Sequence, residues 1–586
     1  MLKDMLIVSI LAGVVLPLSL QAAEYDIVIN NGRVMDPETS FDAKRNVGIK
    51  DGKIAIITED AISGRQVVDA SGHVVAPGFI DTHTHSSDKY AIKMAMMDGV
   101  TSGMDYELGG LNIGAWYERE QGRWPINYGQ CVAHEMVRVV VHDGIEIDDP
   151  VDAVDVFKLR AESAKDEIEG WSVTVSNLEQ INQINKRLDE NLRQGALCVG
   201  TTPGYAPKGI STYELFEVQK TAARYGRPIA SHTRFHGGAK TPTEAQMGFA
   251  EVFTNAVLLK APLLYSHNND YGWWEIEEKL KLARAQGMNM WAEYYPYEAA
   301  STAIGAVPLR PESIEGALGL KYKDILYDPT QDKYLDKQEY LQVAKDDPGR
   351  TIVIFNPGRK KWLPMWLRVP HMVVGSDGMW QNEGLGWEDD PAKFKGHPRT
   401  SGSHSITLRL ARENGVPLMH TLAQLSYWSA YHLGKTGLKM MQERGRLQQG
   451  MAADIVVFDP ENVREGSGYK AGENGLPPIG LPHVIVNGQF VKKDDKATNI
   501  MAGLPVRYPV EDNPRHVEAT QEQWQSDMLV DDGAIRRQPK ADQTGALEFA
   551  PKVAAADPLQ NDSLHSLFCT LHPSSAFQVT SLNKEN

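Results

Sequence analysis

The stretch Ala76-Pro77-Gly78-Phe79-Ile80-Asp81-Thr82-His83-Thr84-His85 is an apolar run that ends in two histidines two positions apart. In an extended strand alternate side chains share a face, so His83 and His85 point together and can ligate one ion. Imidazole suits zinc and similar divalent metals. Other apolar runs end in the same way. Glu107 follows Gly99 to Tyr106, His232 follows Arg227 to Ser231, His267 follows Leu263 to Ser266, and Asp377 follows Met372 to Ser376. A carboxylate at Glu107 is placed to bind or bridge metal.

Between these runs lie longer amphipathic ones, such as Tyr213 to Tyr225 and Thr243 to Leu258. Alternation of short apolar and longer amphipathic segments predicts a parallel sheet with helices outside. Residues 77–440 are long enough for a (β/α)8 barrel of the TIM type, and 303–350, charged and loop-like, suit a lid over its mouth. Residues 24–76 read as short strands broken by Asn-Gly, Asp-Gly and Ser-Gly turns, and 441–510 repeat that grammar in Ala453–Phe458 and His483–Val491. The two chain segments are expected to complete one small β-sandwich. Residues 511–586 turn polar and lose periodicity, which predicts a loosely packed extension.

Composition narrows the function. Lys plus Arg number 60 and Asp plus Glu 76, a formal charge of −16, which argues against a nucleic-acid partner. Residues 1–23 join Lys3, an apolar run shorter than a spanning helix, and Gln21-Ala22-Ala23. This reads as a cleavable secretory signal, so a secreted or periplasmic protein without stable membrane insertion is expected. Cys131, Cys198 and Cys569 are three and widely spaced, giving neither a disulfide framework nor a CxxC site. Cys198 is expected as buried core, and any metal must be held by His and carboxylates.

The ordered set of HxH, acid, His, His and Asp on strand ends resembles the metal site of the amidohydrolase superfamily. Further segments resemble its N-acyl-D-amino-acid deacylases: Gly204-Tyr205-Ala206-Pro207, Tyr295-Pro296-Tyr297 with Ala300-Ser301-Thr302, Ser376-Asp377-Gly378, and His397-Pro398-Arg399. The resemblance implies a zinc enzyme with one or two divalent ions, acting on small N-acyl amino acids. It implies His83, His85, Glu107, His232, His267 and Asp377 as metal ligands, with Asp377 also the base that takes the proton of the attacking water. It implies Tyr205 as donor to the developing oxyanion, and Arg399, Tyr295, Ser301 and, in the family's Lys position, Asn269 as the residues that meet the substrate carboxylate. Two positions depart from the family. Glu107 stands where the family usually has Cys, and Asn269 where it has a carboxylate-pairing Lys. The lysine that other superfamily members carbamylate to bridge two metals has no counterpart on the strand from Ala196 to Gly200.

Two alternatives stay open at this point. One is a cyclic-amide hydrolase of the dihydroorotase or hydantoinase kind, sharing metal site and base. The other is an inactive barrel serving as a binding or scaffold protein, which would be expected to have lost ligands. His236 reads as an exposed loop residue, His134 and Arg138 as a segment near the site's mouth, and Trp273-Trp274 as core packing or acyl-pocket wall.

Overall fold

The computed structural model describes residues 24–523, apart from Ser86, 167–169, 236–241 and 381–383. The proposed signal (1–23), His236 and residues 524–586 of the extension thus lie outside the described residues.

Both chain segments expected in the small domain join one nine-stranded sheet. Its seam is antiparallel pairing of Val74–Pro77 with Ile455–Phe458, where Ala76 faces Val456. The 12-residue strand Tyr25–Asp36 pairs with Gly64–Asp69 along its first half and with Val74–Pro77 along its second. The sheet therefore folds around one core, to which Ile27, Val47 and Ile54 contribute from one segment and Ile455, Ile485 and Phe490 from the other. Asp51-Gly52 and Asn487-Gly488 turn two of its hairpins with both residues at positive φ, the conformation that matches strand twist and favours Asn, Asp and Gly.

The second sheet has eight parallel strands, here β1 (Phe79–Asp81), β2 (Val100–Gly110), β3 (Asn127–Ala133), β4 (Val199–Thr201), β5 (Ile229–Ser231), β6 (Leu263–Tyr265), β7 (Met290–Tyr294) and β8 (Met372–Val374). It is the expected TIM-type barrel. Period-two alternation assigns its faces: Ile80, Ala230, Leu264 and Val373, the middle residues of three-residue strands, share one interior cluster with Met104 and Trp291. Their flanking neighbours Phe79, Ile229, Leu263 and Met372 belong to the outer core beneath the helices. Beyond β1 and β8 the backbone closes the ring, with Asp377 N–H donating to His83 O at 2.7 Å and His85 N–H to Gly378 O at 2.9 Å. Closure thus brings the HxH segment and Asp377 side by side.

Three expectations need correction. The stretch 303–350 is a folded lobe and not a loop. Ala299–Ala303, Leu326–Asp328, Lys333–Tyr334 and Thr351–Phe355 form a four-stranded antiparallel sheet, over a core including Ile304, Leu309, Ile314, Tyr322 and Tyr340. Its strands are too short, and one too exposed, to show a period in sequence. Residues 511–519 are fastened to the helix Leu178–Arg193, where Arg515 N–H donates to Asp189 and Ala519 exchanges two hydrogen bonds with Asn182. Cys198 is buried as expected but is disulfide-bonded to Cys131. The two are 67 residues apart in sequence and meet because β3 and β4 are neighbours. Among the described residues no helix is long and apolar enough to cross a membrane.

Candidate metal centre and active site

Glu107 occupies the centre of the site because β2 is irregular. Its register with β3 shifts between Asp105 and Gly110, and Gly109 takes φ 78°. An extra residue of this kind kinks a strand and re-aims its side chains. On β4, a Cβ at Gly200 would lie 2.5 Å from the carbonyl oxygens of both Glu107 and Leu108, so only glycine admits the irregular segment. Glu107 is buried, with its two oxygens turned to different partners. Oε2 is 3.3 Å from both His83 Nε2 and His85 Nε2. Oε1 is 2.6 Å from His267 Nε2 and 3.1 Å from His232 Nδ1. Asp377 Oδ1 completes the first group, at 3.6 Å from His83 Nε2 and 3.5 Å from His85 Nε2. His267 and Asp377 hold positive φ, 32° and 51°, a conformation costly outside glycine and frequent at functional sites.

The rear of the cluster fixes the tautomers. His83 Nδ1 bonds Glu293 Oε1, and His85 Nδ1 bonds Asp105 Oδ2 at 2.9 Å. With each Nδ1 turned to one of these carboxylates, the two Nε2 atoms face each other 3.1 Å apart. That contact repels unless a cation lies between. Four donors around a zinc-sized ion at ~2.0–2.2 Å stand roughly 3.3–3.6 Å apart, close to the separations here. The electrostatics agree. Burial opposes the charged form of His83, yet Glu293, Glu107 and Asp377 hold it well above the usual imidazole value. Burial likewise opposes charge on His85, but Asp105 and Glu107 lift it to about 9. Burial also opposes charge on Glu107, but His267, His83 and His232 hold it well below the usual carboxylate range. The centre attracts positive charge, and its nitrogen and oxygen donors fit one or two divalent ions, which His83, His85 and Asp377 or His83, Glu107 and His267 would hold.

Glu293, Asp105 and Asp81 were not singled out from sequence. Glu293 also accepts from Thr82 Oγ1 at 2.8 Å. Asp81 Oδ1 accepts from the N–H groups of His83 and Ser376, both at 3.0 Å, and ties β1 to the end of β8. Their signal was a lone acid inside an apolar strand, as in Met290-Trp291-Ala292-Glu293-Tyr294. Carboxylates behind metal-binding histidines orient the rings and raise their basicity.

A cavity of about 560 Å³ adjoins the cluster and is lined by His85, Glu107, His232, His267 and Asp377. Tyr205, Tyr295 and Ser301 line it too. Tyr205 bonds Thr302 Oγ1 at 3.2 Å, and Arg160 stacks over its ring at 4.2 Å. Burial pushes the Tyr205 hydroxyl up to about 12, so it stays protonated and able to donate. Ser301 Oγ is spent on Ile352 O at 2.8 Å. Arg399 does not line the cavity. It is buried, with Nη1 on Asp377 Oδ2 at 2.9 Å and Nη2 on Ser301 O at 3.2 Å. Asn269 also stands off the cavity, clamping the Tyr295 backbone through Nδ2 to Tyr295 O at 2.8 Å and Tyr295 N–H to Oδ1 at 3.3 Å. Its expected contact with a substrate carboxylate is corrected: the amide serves the main chain. Two guanidinium groups line the cavity, Arg160 and Arg359; Arg359 is paired to Asp270 through Nε at 2.9 Å and Nη2 at 2.8 Å, with Nη1 on Tyr295 Oη. No local sequence signal marks a pair 89 residues apart. His134 and Arg138 are buried on Glu214, away from this cavity.

Comparison with known proteins accords with this geometry. No family model matches the chain. It is 24% identical over 535 residues to a D-aminoacylase of Alcaligenes xylosoxydans xylosoxydans, covering 82% of this chain and 97% of the relative. It is 26% identical over 511 residues to an N-acyl-D-glutamate deacylase of that organism, covering 79% and 93%. The chain is a distant relative of the D-aminoacylases. Its fold matches the crystal structure of N-acyl-D-glutamate deacylase from Bordetella bronchiseptica, solved with zinc and a phosphonate mimic of the tetrahedral intermediate, at TM-score 0.65 and 22% identity over 83% of this chain and all of that one. A D-aminoacylase structure matches at TM-score 0.64 and 21% identity, with the same coverage. A D-hydantoinase matches at TM-score 0.51 and 18% identity, over 83% of this chain and all of that one.

Proposed function

We propose that this relative of the D-aminoacylases hydrolyses the amide bond of N-acyl-D-amino acids, releasing a carboxylic acid and a free amino acid. The reading rests on the facing Nε2 atoms of His83 and His85 with Glu107 and Asp377 around them. Divalent ions held by His83, His85, Glu107, His232, His267 and Asp377 would lower the pKa of water toward neutrality and polarise the scissile carbonyl. Asp377 Oδ1 faces the ligand nitrogens, and Oδ2 is held by Arg399. That contact stabilises the carboxylate and fixes its orientation, so Asp377 is placed to take a proton from the attacking water and pass it to the leaving nitrogen. Arg399 acts through Asp377 as a positioning residue. Tyr205, a protonated hydroxyl in the cavity wall, donates to the carbonyl oxygen as charge develops.

The substrate carboxylate falls to Arg359 with Tyr295. A guanidinium has five N–H groups. Asp270 and Tyr295 engage Nε, Nη2 and Nη1, and Nη1 and Nη2 each carry a second N–H suited to an anion. Arg359→Ala should raise KM roughly 10–100-fold, the worth of one charged hydrogen bond, while Arg399→Ala should act mainly on kcat. The reverse split would return the clamp to Arg399. The activity test is chelator-sensitive amine release from N-acetyl-D- and N-acetyl-L-amino acids beside ring opening of a hydantoin and dihydroorotate. Activity confined to the cyclic substrates overturns the proposal. We also infer export, supported by the leader-like residues 1–23 and by a Cys131–Cys198 disulfide of the kind oxidising compartments permit. An uncleaved amino terminus on cytoplasmic protein would overturn it.

A further inference from the structure

The cavity is larger and greasier than a short acyl group requires. Beyond the metal ligands and Tyr205, much of its apolar wall comes from the lobe at 299–355, through Leu309, Ile314, Leu318, Leu320, Ile325 and Ile354. Leu309, Ile314 and Ile325 are core residues of that lobe, so the wall is backed by packed side chains. The apolar wall reaches the surface. Phe235, Tyr271 and Leu320 line the cavity and are also 46%, 48% and 39% exposed. From Tyr271 the apolar path continues over Trp274 and Trp362, whose rings lie 5.0 and 6.3 Å from it and 6.3 Å from each other. Trp274 is 44% exposed. Exposed aromatic clusters of this kind mark binding surfaces. The lobe's own lining residues carry no charge, Arg160 is paired with Glu135, and Arg359 lies outside the lobe at the carboxylate end, so the lobe's side offers a ligand area and not charge.

We propose that the preferred substrates are amphiphiles: N-acyl amino acids with a medium or long alkyl chain, seated along the lobe's apolar wall and leaving over Phe235, Tyr271 and Trp274. This rests on the deacylase reading and names its acyl class. The carboxylate end keeps to Arg359 and Tyr295. Water adds to the acyl carbon, the C–N bond breaks, the nitrogen gains the proton, and the products are a fatty acid and the amino acid.

Each methylene moved from water into the wall is worth about 0.8 kcal/mol, close to fourfold in affinity. The test measures kcat/KM of the zinc-loaded full chain for N-acetyl-, N-butanoyl-, N-octanoyl- and N-dodecanoyl-D-alanine, beside N-acetyl-D-leucine and N-acetyl-D-phenylalanine. The dodecanoyl substrate is expected to exceed the acetyl one by more than about 100-fold, several such steps. Leu318→Gln should cut the dodecanoyl value at least tenfold more than the acetyl value. A flat or falling series, or a gain that follows only the amino-acid side chain, overturns the proposal. If no amide is cleaved, the deacylase reading fails. Calorimetric titration with dodecanoate against acetate then decides the chain site alone, micromolar binding of dodecanoate supporting it and equal weak binding of both refuting it.

Discussion

His83 and His85 are held from behind by Glu293 and Asp105, whereas His232 and His267 converge in front on a single oxygen, Glu107 Oε1. The two poles of one centre are thus fixed by different means. The first is a network, in which Thr82 braces Glu293 and Leu108 N–H braces Asp105. The second depends on where an irregularity in β2 aims one carboxylate. A network spreads the consequence of losing any member, while a shared ligand concentrates it.

Asp377 belongs to the first pole but is also the proposed base, so its loss should be the most severe. Asp377→Asn should lower kcat by about 10³–10⁴ with metal retained, checked by mass-spectrometric metal content beside turnover. Next in size is Glu107→Gln, which removes charge from both poles. It should weaken metal binding by more than the ~10–100-fold expected of an outer partner, and equilibrium dialysis against zinc measures this. Metal binding equal to the parent protein would show that Glu107 does not bridge. Glu293→Gln and Asp105→Asn should each weaken binding about 10–100-fold and leave the His232–His267 pole loaded. Loss of both sites would break the distinction drawn here.

The smallest effect lies behind the first pole, where Asn268 N–H donates to Glu293 O and its side chain bonds Glu277. Burial, opposed by Arg284 and Asn268, raises the Glu277 carboxyl to about 7. Unfolded glutamate titrates near ~4.3, so the folded state binds the extra proton between those values. That stabilisation is complete below about pH 4.3 and is lost as pH rises through 7. Glu277→Gln should flatten the fall of Tm between pH 5 and 8 by about 1–3 °C, read by thermal melts across that range.

The same contrast separates what the chain discloses from what it hides. His83, His85, His232, His267 and Asp377 end apolar runs, and a parallel barrel gathers strand ends at one mouth, so their meeting was legible. The sandwich was legible too, because Asp51-Gly52 and Asn487-Gly488 advertise their turns. Glu293 and Asp105 act through partners 210 and 20 residues away, and no periodicity carries that. Arg359 and Asp270, Cys131 and Cys198, and Arg399 with Asp377 depend on which elements become neighbours. The lobe at 299–355 was hidden because its strands are short and one of them, Lys333–Tyr334, is exposed. Asn269 was misread because its position predicts proximity to the site but not the direction of its amide.

Gly200 has a consequence for how the enzyme comes to hold metal. A lysine carbamate bridge, as in other amidohydrolases, forms only when an amine takes up carbon dioxide. On β4 the space for such a side chain is filled by the Glu107 and Leu108 carbonyls, and the proposed bridge is Glu107, a carboxylate the ribosome has already supplied. Maturation of this site should therefore be indifferent to bicarbonate, and apo-protein should recover its metal at the same rate in carbonate-free buffer as in air.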